Sequence, residues 1–315
     1  MTKILYIIQT FKDPEQIYRL AKIIKTSSSA SSMIICHDYT ASHLEIEPLK
    51  KLGVEVLKIN GKGGRGDFSM VQSYLEAIEW AFTHELEFDW CINLSGQDYP
   101  TQPLPQLEQF LAKTSYDGFL DYFEAFSESV PWGLKESEDR YLYQYWRSGR
   151  FLARWERGLL RPFATTLNQV QPFIRINWAY DGLMIGLKAK STLFNESFVC
   201  YGGSFFCTLS RKCIGYLHAF AKENHDVVQH YKKSCVSVES FLQTVLVNSH
   251  LFNLCNNSKR YIDFANLEDS SRPRTLSAKD YPMLVQDNIH FARKFEPAQD
   301  DKILDMLDAR ILQIS

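Results

Sequence analysis

The first 125 residues of this chain alternate short apolar runs with amphipathic stretches, and that alternation constrains its fold more than any other feature. KILYIIQT reads as a strand. DPEQIYRLAKII then reads as a helix, with Asp13 at the N-cap, Pro14 at the first position and Gln16 closing a capping box. Ile17, Leu20, Ala21 and Ile24 follow the i, i+3, i+4, i+7 spacing of a buried helical face. A serine-rich loop leads to a second strand, MIICHDY; LEIEPLKKLG reads as a helix closed by Gly53, and VEVLKIN as a third strand. SMVQSYLEAIEWAFTH is a helix, FDWCINLSG a fourth strand and GFLDYF a fifth. Strands separated by helices build an α/β architecture, a mostly parallel central sheet with helices on both faces. Ligands of such sheets bind beyond the carboxyl ends of the strands.

The second half is less regular. EDRYLYQYWRSGRFLARWERGLLRPF is dense in Arg and aromatic residues, and YGGSFFCTLSRKCIGYLHAFAKE reads as a loop, a strand and a helix. SVESFLQTVLVNS reads as a helix capped by Ser237 that buries Phe241, Leu242, Val245 and Leu246. DDKILDMLDARILQI is an amphipathic closing helix. No repeat or linker interrupts the chain, so residues 1–315 are read as one domain.

Composition narrows the function classes. A net charge of -2 argues against nucleic-acid binding, which needs a basic excess. Aromatic residues make up 14% of the chain, and they serve either a large core or a site for a ring-shaped ligand such as a base or sugar. The seven cysteines form no CxxC, and Cys36, Cys91 and Cys207 lie in apolar runs, as core residues of a reducing compartment do. The amino-terminal apolar run is too short for a signal segment, and no stretch approaches the length of a membrane span. A cytoplasmic protein is expected, compatible with peripheral contact at the inner membrane face, although no amphipathic segment argues for that contact.

Few residues carry recognisable chemistry. GKGGRGD matches neither phosphate-loop pattern and reads as a flexible turn in which Arg65 could meet an anion. Asp98, in NLSGQDYPTQPL, lies just past the fourth strand, where a diphosphate-bound cation would need several converging oxygen ligands. No Asp-x-Asp accompanies it, so no metal site is expected, and a bound diphosphate would have to be neutralised by cationic side chains. Arg272 and Arg274 in SSRPRTL, and Arg293 and Lys294 in FARKFEP, offer such cations or simply a solvated basic surface. Glu239 sits in the first turn of its expected helix, where a carboxylate either complements the dipole or serves as a general base. His37 and His290 either touch a ligand or, as the first reading, serve as satisfied structural histidines, and no paired metal-ligand spacing or nucleophile motif occurs.

Seven blocks in order resemble the core-2/I-branching β-1,6-N-acetylglucosaminyltransferase family, which includes the peptide O-xylosyltransferases. They are KILYIIQTFKDPEQIYRL, CINLSGQDYPTQPL, GGSFFCTLSR, SVESFLQTVLVNS, KRYIDF, RPRTLSAKDY and IHFARKFEP. The resemblance implies a variant GT-A fold and an inverting, metal-independent transferase. It would move a sugar, GlcNAc first among the candidates, from a UDP-sugar to a hydroxyl of a glycan acceptor, with no cofactor. A xylose donor, or a non-catalytic nucleotide-sugar or glycan-binding protein on the same scaffold, is the alternative. By the same resemblance residues 1–125 form the nucleotide-binding half and 126–315 the acceptor and catalytic half.

Residue by residue, the resemblance implies Glu239 as catalytic base, and Lys294 with Arg274, or Arg272 in its place, on the diphosphate. Asp38 would lie near the uridine, and Asp98, Arg140 and Ser204 in the donor and acceptor pocket. The chain departs from the family where Ser237-Val238-Glu239 replaces Pro-Asp-Glu, and where Phe206 and Phe68 stand in place of Trp. It also lacks the amino-terminal anchor and paired cysteines of the animal enzymes, as a bacterial-type soluble member acting on a cell-surface glycan would.

Overall fold

The computed structural model describes residues 2–28, 30–59, 66–151, 154–177, 182–189, 193–264 and 272–312. Arg65, the cation of the glycine-rich turn, lies outside them.

Strand β1 (Ile4–Thr10) is buried along its whole length, as a strand covered on both faces must be. Helix α1 (Pro14–Ser27) returns the chain to β2 (Ser32–Asp38), and the short α2 (Glu47–Lys51) leads to β3 (Val54–Ile59). Helix α3 (Phe68–Thr83) precedes β4 (Trp90–Ser95), which turns at once into β5 (Asp98–Pro100) and then α4 (Leu104–Lys113). GFLDYF is two strands rather than one: β6 (Gly118–Leu120) and β7 (Phe123–Glu124). Helix α5 (Leu134–Tyr141) opens a small module of β8 (Tyr143–Phe151), α6 (Arg154–Val170), β9 (Ile174–Asn177) and β10 (Gly182–Lys188). Next come β11 (Tyr201–Gly202), β12 (Thr208–Ser210), α7 (Arg211–Glu223), α8 (His225–Lys233) and α9 (Phe241–Asn248). Strands β13 (Leu254–Asn256) and β14 (Arg260–Ile262), helix α10 (Tyr281–Leu284), β15 (Phe291–Arg293) and α11 (Lys302–Leu312) complete it.

The central sheet has the order β13-β6-β12-β4-β1-β2-β3. All its neighbours pair in parallel except β12, which runs antiparallel to both β4 and β6. Alternation along β1 splits the core in two. Leu5 and Ile7 pack with α3, α7, α8 and α9; Ile4, Tyr6 and Ile8 pack with α1, α4 and α11 on the other face. The expected α/β class, with helices on both faces, is therefore present.

Two expected helix starts are corrected. Asp13 is in the left-handed region (φ 53) and its side chain makes no cap, while Gln16 is buried and donates to the Phe295 carbonyl at 3.2 Å. Asp13 instead lies 3.4 Å from Lys12. Ser237 does not cap a helix either: residues Ser237–Glu239 form a separate 3-10 turn, and α9 begins only at Phe241. The Ser237 hydroxyl donates to the Tyr231 carbonyl at 2.5 Å, and Ser240, not Ser237, directly precedes α9. The four residues expected to be buried in α9, Phe241, Leu242, Val245 and Leu246, are buried.

Candidate active site

A second three-stranded sheet, β14-β15-β5, crosses the carboxyl edge of the central one and makes a cation-rich corner there. Asp98 in β5 pairs in register with Arg293 in β15. The Asp98 side chain is 0% exposed and accepts from the Ser95 N–H at 2.7 Å and from the Ser95 hydroxyl, closing the turn after β4. Its other oxygen has no hydrogen bond among the described residues and faces the Arg293 Nε at 3.7 Å. Arg293 lies over the Phe206 ring, 4.3 Å from its centroid. Arg260 donates to the carbonyls of Asn93 and Cys207 at 2.7 and 3.1 Å, and burial works against its charge.

Lys294 continues the corner. Its ammonium is 3.3 Å from Glu296, which Lys12 also reaches at 3.1 Å and Gln97 at 3.0 Å. Burial alone would raise the Glu296 carboxyl, but the two lysines outweigh it and hold the group below its ordinary range. The backbone ties the segments together: Phe295 N–H donates to Gln97, and Leu276 N–H to Lys294, at 3.0 and 2.9 Å. Arg274, two residues before Leu276, has its guanidinium between Asp263 and Asp280 at 2.7 and 2.6 Å. That pairing depresses the Asp280 carboxyl, the hydrogen bond from Arg274 being the chief cause. Arg272 is exposed on the same loop.

Asp38 ends β2, next to β1 in the sheet, and accepts from the Thr40 N–H and hydroxyl at 2.9 and 2.7 Å. His37 is buried and both its ring nitrogens have partners, Thr10 and the Ser42 carbonyl, as a structural histidine should. His290 is buried too, but its Nδ1 has no hydrogen-bond partner among the described residues.

Glu239 stands elsewhere on this edge. Its turn follows Val236, a β-branched residue at φ 53, a conformation costing roughly 1–3 kcal/mol that persists only where its surroundings enforce it. Arg140 in α5 donates to Glu239 Oε2 at 2.8 Å and also pairs with Glu136 one turn back. The guanidinium lies 4.3 Å from the centroid of the Trp132 ring. Arg140 lines a cleft of about 580 Å³ with Trp132, Glu136, Asp139, Asn177 and Val236. Neither Glu136 nor Trp132 was singled out in the sequence, because nothing local marks residues that converge on an arginine.

The GGSFF segment joins the two centres. Gly203 N–H donates to the Glu239 carbonyl at 2.7 Å. A Cβ on Gly203 would stand 1.8 Å from the Asp121 carbonyl oxygen, so only glycine lets the backbone pass here. Ser204 presents its carbonyl to Gln243 at 2.5 Å and its hydroxyl to the Phe206 N–H at 3.4 Å. Phe206, two residues on, carries Arg293. Glu239, Arg140 and Ser204 are thus one connected group, and Asp98, Arg274 and Lys294 another, with Asp38 at the neighbouring strand end.

The family model described as Core-2/I-Branching enzyme matches residues 54–289, which include Asp98, Arg140, Ser204, Glu239, Arg272 and Arg274. The chain belongs to this family. Curated relatives include Beta-glucuronosyltransferase GlcAT14B of Arabidopsis thaliana, 23% identical over 90% of this chain and 58% of its own length. GlcAT14A of the same plant, also named a Beta-glucuronosyltransferase, is 22% identical over 78% of this chain and 47% of its own length. This chain spans about half the length of these family relatives. Among solved structures, a 4-diphosphocytidyl-2C-methyl-D-erythritol synthase aligns with a TM-score of 0.37 and 9% identity, covering 90% of this chain and 97% of its own. Among the described residues there is no cluster of three metal-ligating side chains, and no helix is long and apolar enough to cross a membrane.

Proposed function

We propose that the protein is an inverting, metal-independent glycosyltransferase of GT-A-like architecture that transfers a sugar from a UDP-sugar to a glycan hydroxyl. The observation that carries this reading is Glu239: a half-exposed carboxylate fixed by Gly203 through its backbone carbonyl and by Arg140 through its side chain, Arg140 itself lining a cleft of about 580 Å³. One carboxylate placed in this way suits a single displacement.

In this reading residues 1–125 hold the nucleotide, with the uracil beside Asp38, and residues 126–315 supply the acceptor side and the base. Lys294 and Arg274 bind the diphosphate, with Arg272 as the substitute for Arg274. Arg274 has to exchange a carboxylate partner to do so. The acceptor hydroxyl gives its proton to Glu239 while its oxygen bonds to the anomeric carbon from the face opposite the leaving group. The bond from that carbon to the diphosphate oxygen breaks, and its electron pair leaves with UDP. The lysine and arginine stabilise the charge that builds there. Arg140 positions Glu239, and Ser204 and Asp98 border the donor. Metal independence is supported by what surrounds Asp98: its neighbours are arginines rather than further carboxylates.

GlcNAc is the first donor proposed, and glucuronate the second on the names of the plant relatives. Thermal shift and turnover with UDP-GlcNAc, UDP-glucuronate and UDP-xylose, each with EDTA and with Mn²⁺, separate the readings. A donor at about 100 times its Kd stabilises by about 2.7 kcal/mol. Equal stabilisation in EDTA, with turnover, is the expected result. Stabilisation that requires the cation sinks the metal-free part, and stabilisation without turnover of any donor, with a glycan acceptor present, points to a binding protein.

A further inference from the structure

The small module built from β8, α6, β9 and β10 carries an apolar surface that none of the described residues covers. At 3.6 residues per turn, Leu159, Leu160, Phe163, Leu167 and Val170 of α6 fall within an arc of about 100°. In a helix of a globular domain that stripe faces the core. Here it faces away: Leu159 is 73% exposed, Phe163 65% and Val170 72%. The helix docks through its other side. Ala164 is buried, and the Asn168 side chain bonds both the N–H and the carbonyl of Ile176 at 2.9 Å, along the open edge of β9. The sheet adds a second apolar row. Ile185 and Leu187 share one face of β10, and Trp146 pairs with Ile185 in register; all three are exposed. The opposite face, with Tyr143, Tyr145 and Met184, is buried against Cys235.

Charge decides what fits this surface. The whole chain is slightly acidic, at -2, yet residues 147–161 contain five arginines, at 147, 150, 154, 157 and 161, and one acidic residue, Glu156. Arg161 is exposed beside the stripe, Lys188 is exposed at the end of β10, and Lys233 stands 5.9 Å from the Trp146 ring. A second copy of this chain, apposed through the same face, would cover the apolar stripe but set these cations against one another. A bilayer with anionic headgroups uses both: the apolar side chains enter the headgroup boundary and the cations meet phosphates.

We propose that this module is a membrane-docking surface that holds the protein on an anionic lipid bilayer. It corrects the sequence-based expectation that no amphipathic segment argues for membrane contact. The proposal is independent of the donor sugar and of the role of Glu239.

The test is flotation of the full chain with vesicles of phosphatidylcholine alone and of phosphatidylcholine mixed with phosphatidylglycerol, at low and high salt. Binding to the mixed vesicles that weakens with salt is expected. Leu159→Ser with Phe163→Ser, both exposed and therefore without a packing role, should lower that binding by roughly tenfold or more and leave the melting temperature in place. Arg161→Glu should lower it less. Absence of binding to the mixed vesicles overturns the proposal, as does equal binding by the double variant. A dimer in solution that the double variant dissociates, with no vesicle binding, assigns the surface to a second copy instead.

Discussion

Two carboxylates at the carboxyl edge of the sheet are treated in opposite ways. Asp98 is 0% exposed: one oxygen holds the Ser95 turn, and the other, without a hydrogen bond among the described residues, faces Arg293, so the carboxylate is enclosed in the frame. Glu239 is 39% exposed, sits on a strained turn and is held by Arg140, which lines the neighbouring cleft. Asp98 belongs to the more conspicuous motif, but Glu239 has the surroundings of a reacting group. An acidic residue past a core strand can be enclosed by the frame, whereas Glu239 keeps part of its side chain at the surface.

This comparison breaks most directly at Glu239. Glu239→Gln should lower transfer by about 10²–10⁴-fold while UDP still stabilises the protein in a thermal shift. A variant that turns over normally would falsify the assignment. Asp98 should behave in the reverse sense. Asp98→Ala leaves buried arginine charge uncompensated and should cost about 3–5 kcal/mol of stability, read as a lower urea midpoint. Asp98→Asn keeps an acceptor for Ser95 and should cost less. If Asp98→Ala keeps its urea midpoint but loses donor binding, the division between frame and reacting group is wrong.

The same contrast explains what could be read in the sequence. Strands β1, β2 and β4 were legible because each is a short apolar run bounded by helical or turn signals, and burial on both faces leaves them little choice. The cap at Ser237 was misread because a serine before an apolar helical pattern looks the same whether its hydroxyl meets a helix N–H or, as here, the carbonyl of Tyr231. The β8–β10 module was illegible for another reason: apolar and aromatic residues occupy both of its faces, so period alone cannot say which face is buried. At the site, Glu239 could be assigned by resemblance. Its partnership with Arg140 spans 99 positions, and that of Lys12 with Glu296 spans 284. Such pairings are set by the topology of the sheet and leave no local pattern.

Gly203 sharpens the comparison further, because it is where the frame touches the Glu239 turn. Gly203→Ala puts a methyl against the Asp121 carbonyl, where the nearest atom is backbone and cannot swing aside. We expect a stability loss of about 1–3 kcal/mol together with reduced transfer, since the Glu239 carbonyl loses its clamp. Equal activity and stability in this variant would show that the two centres are not mechanically joined through this segment.

The smallest effect concerns the frame in acid. His290 in the loop before β15 is pushed down to about 3, first by burial and then by Lys259 and Arg260, and its carbonyl accepts from Thr101 just after β5. Its folded value is below that of an unfolded histidine, near 6.5, so the folded state binds fewer protons. Stability is therefore full above about pH 6.5 and falls as the pH drops toward 3, by up to about 1.4 kcal/mol per unit for this one group. His37 and His230 are lowered as well, both chiefly by burial, and add to the loss. His290→Phe keeps the flat ring that packs edge-on against Phe110, 4.8 Å between centroids, and removes the titration. Urea midpoints at pH 7 and pH 5.5 should then draw closer together in the variant than in the parent, while the ratio of transfer rates at the two values stays the same. A variant whose midpoints remain as far apart as the parent's would place the acid sensitivity in the other two histidines, and one whose rate ratio changes would tie His290 to the reacting group rather than to the frame.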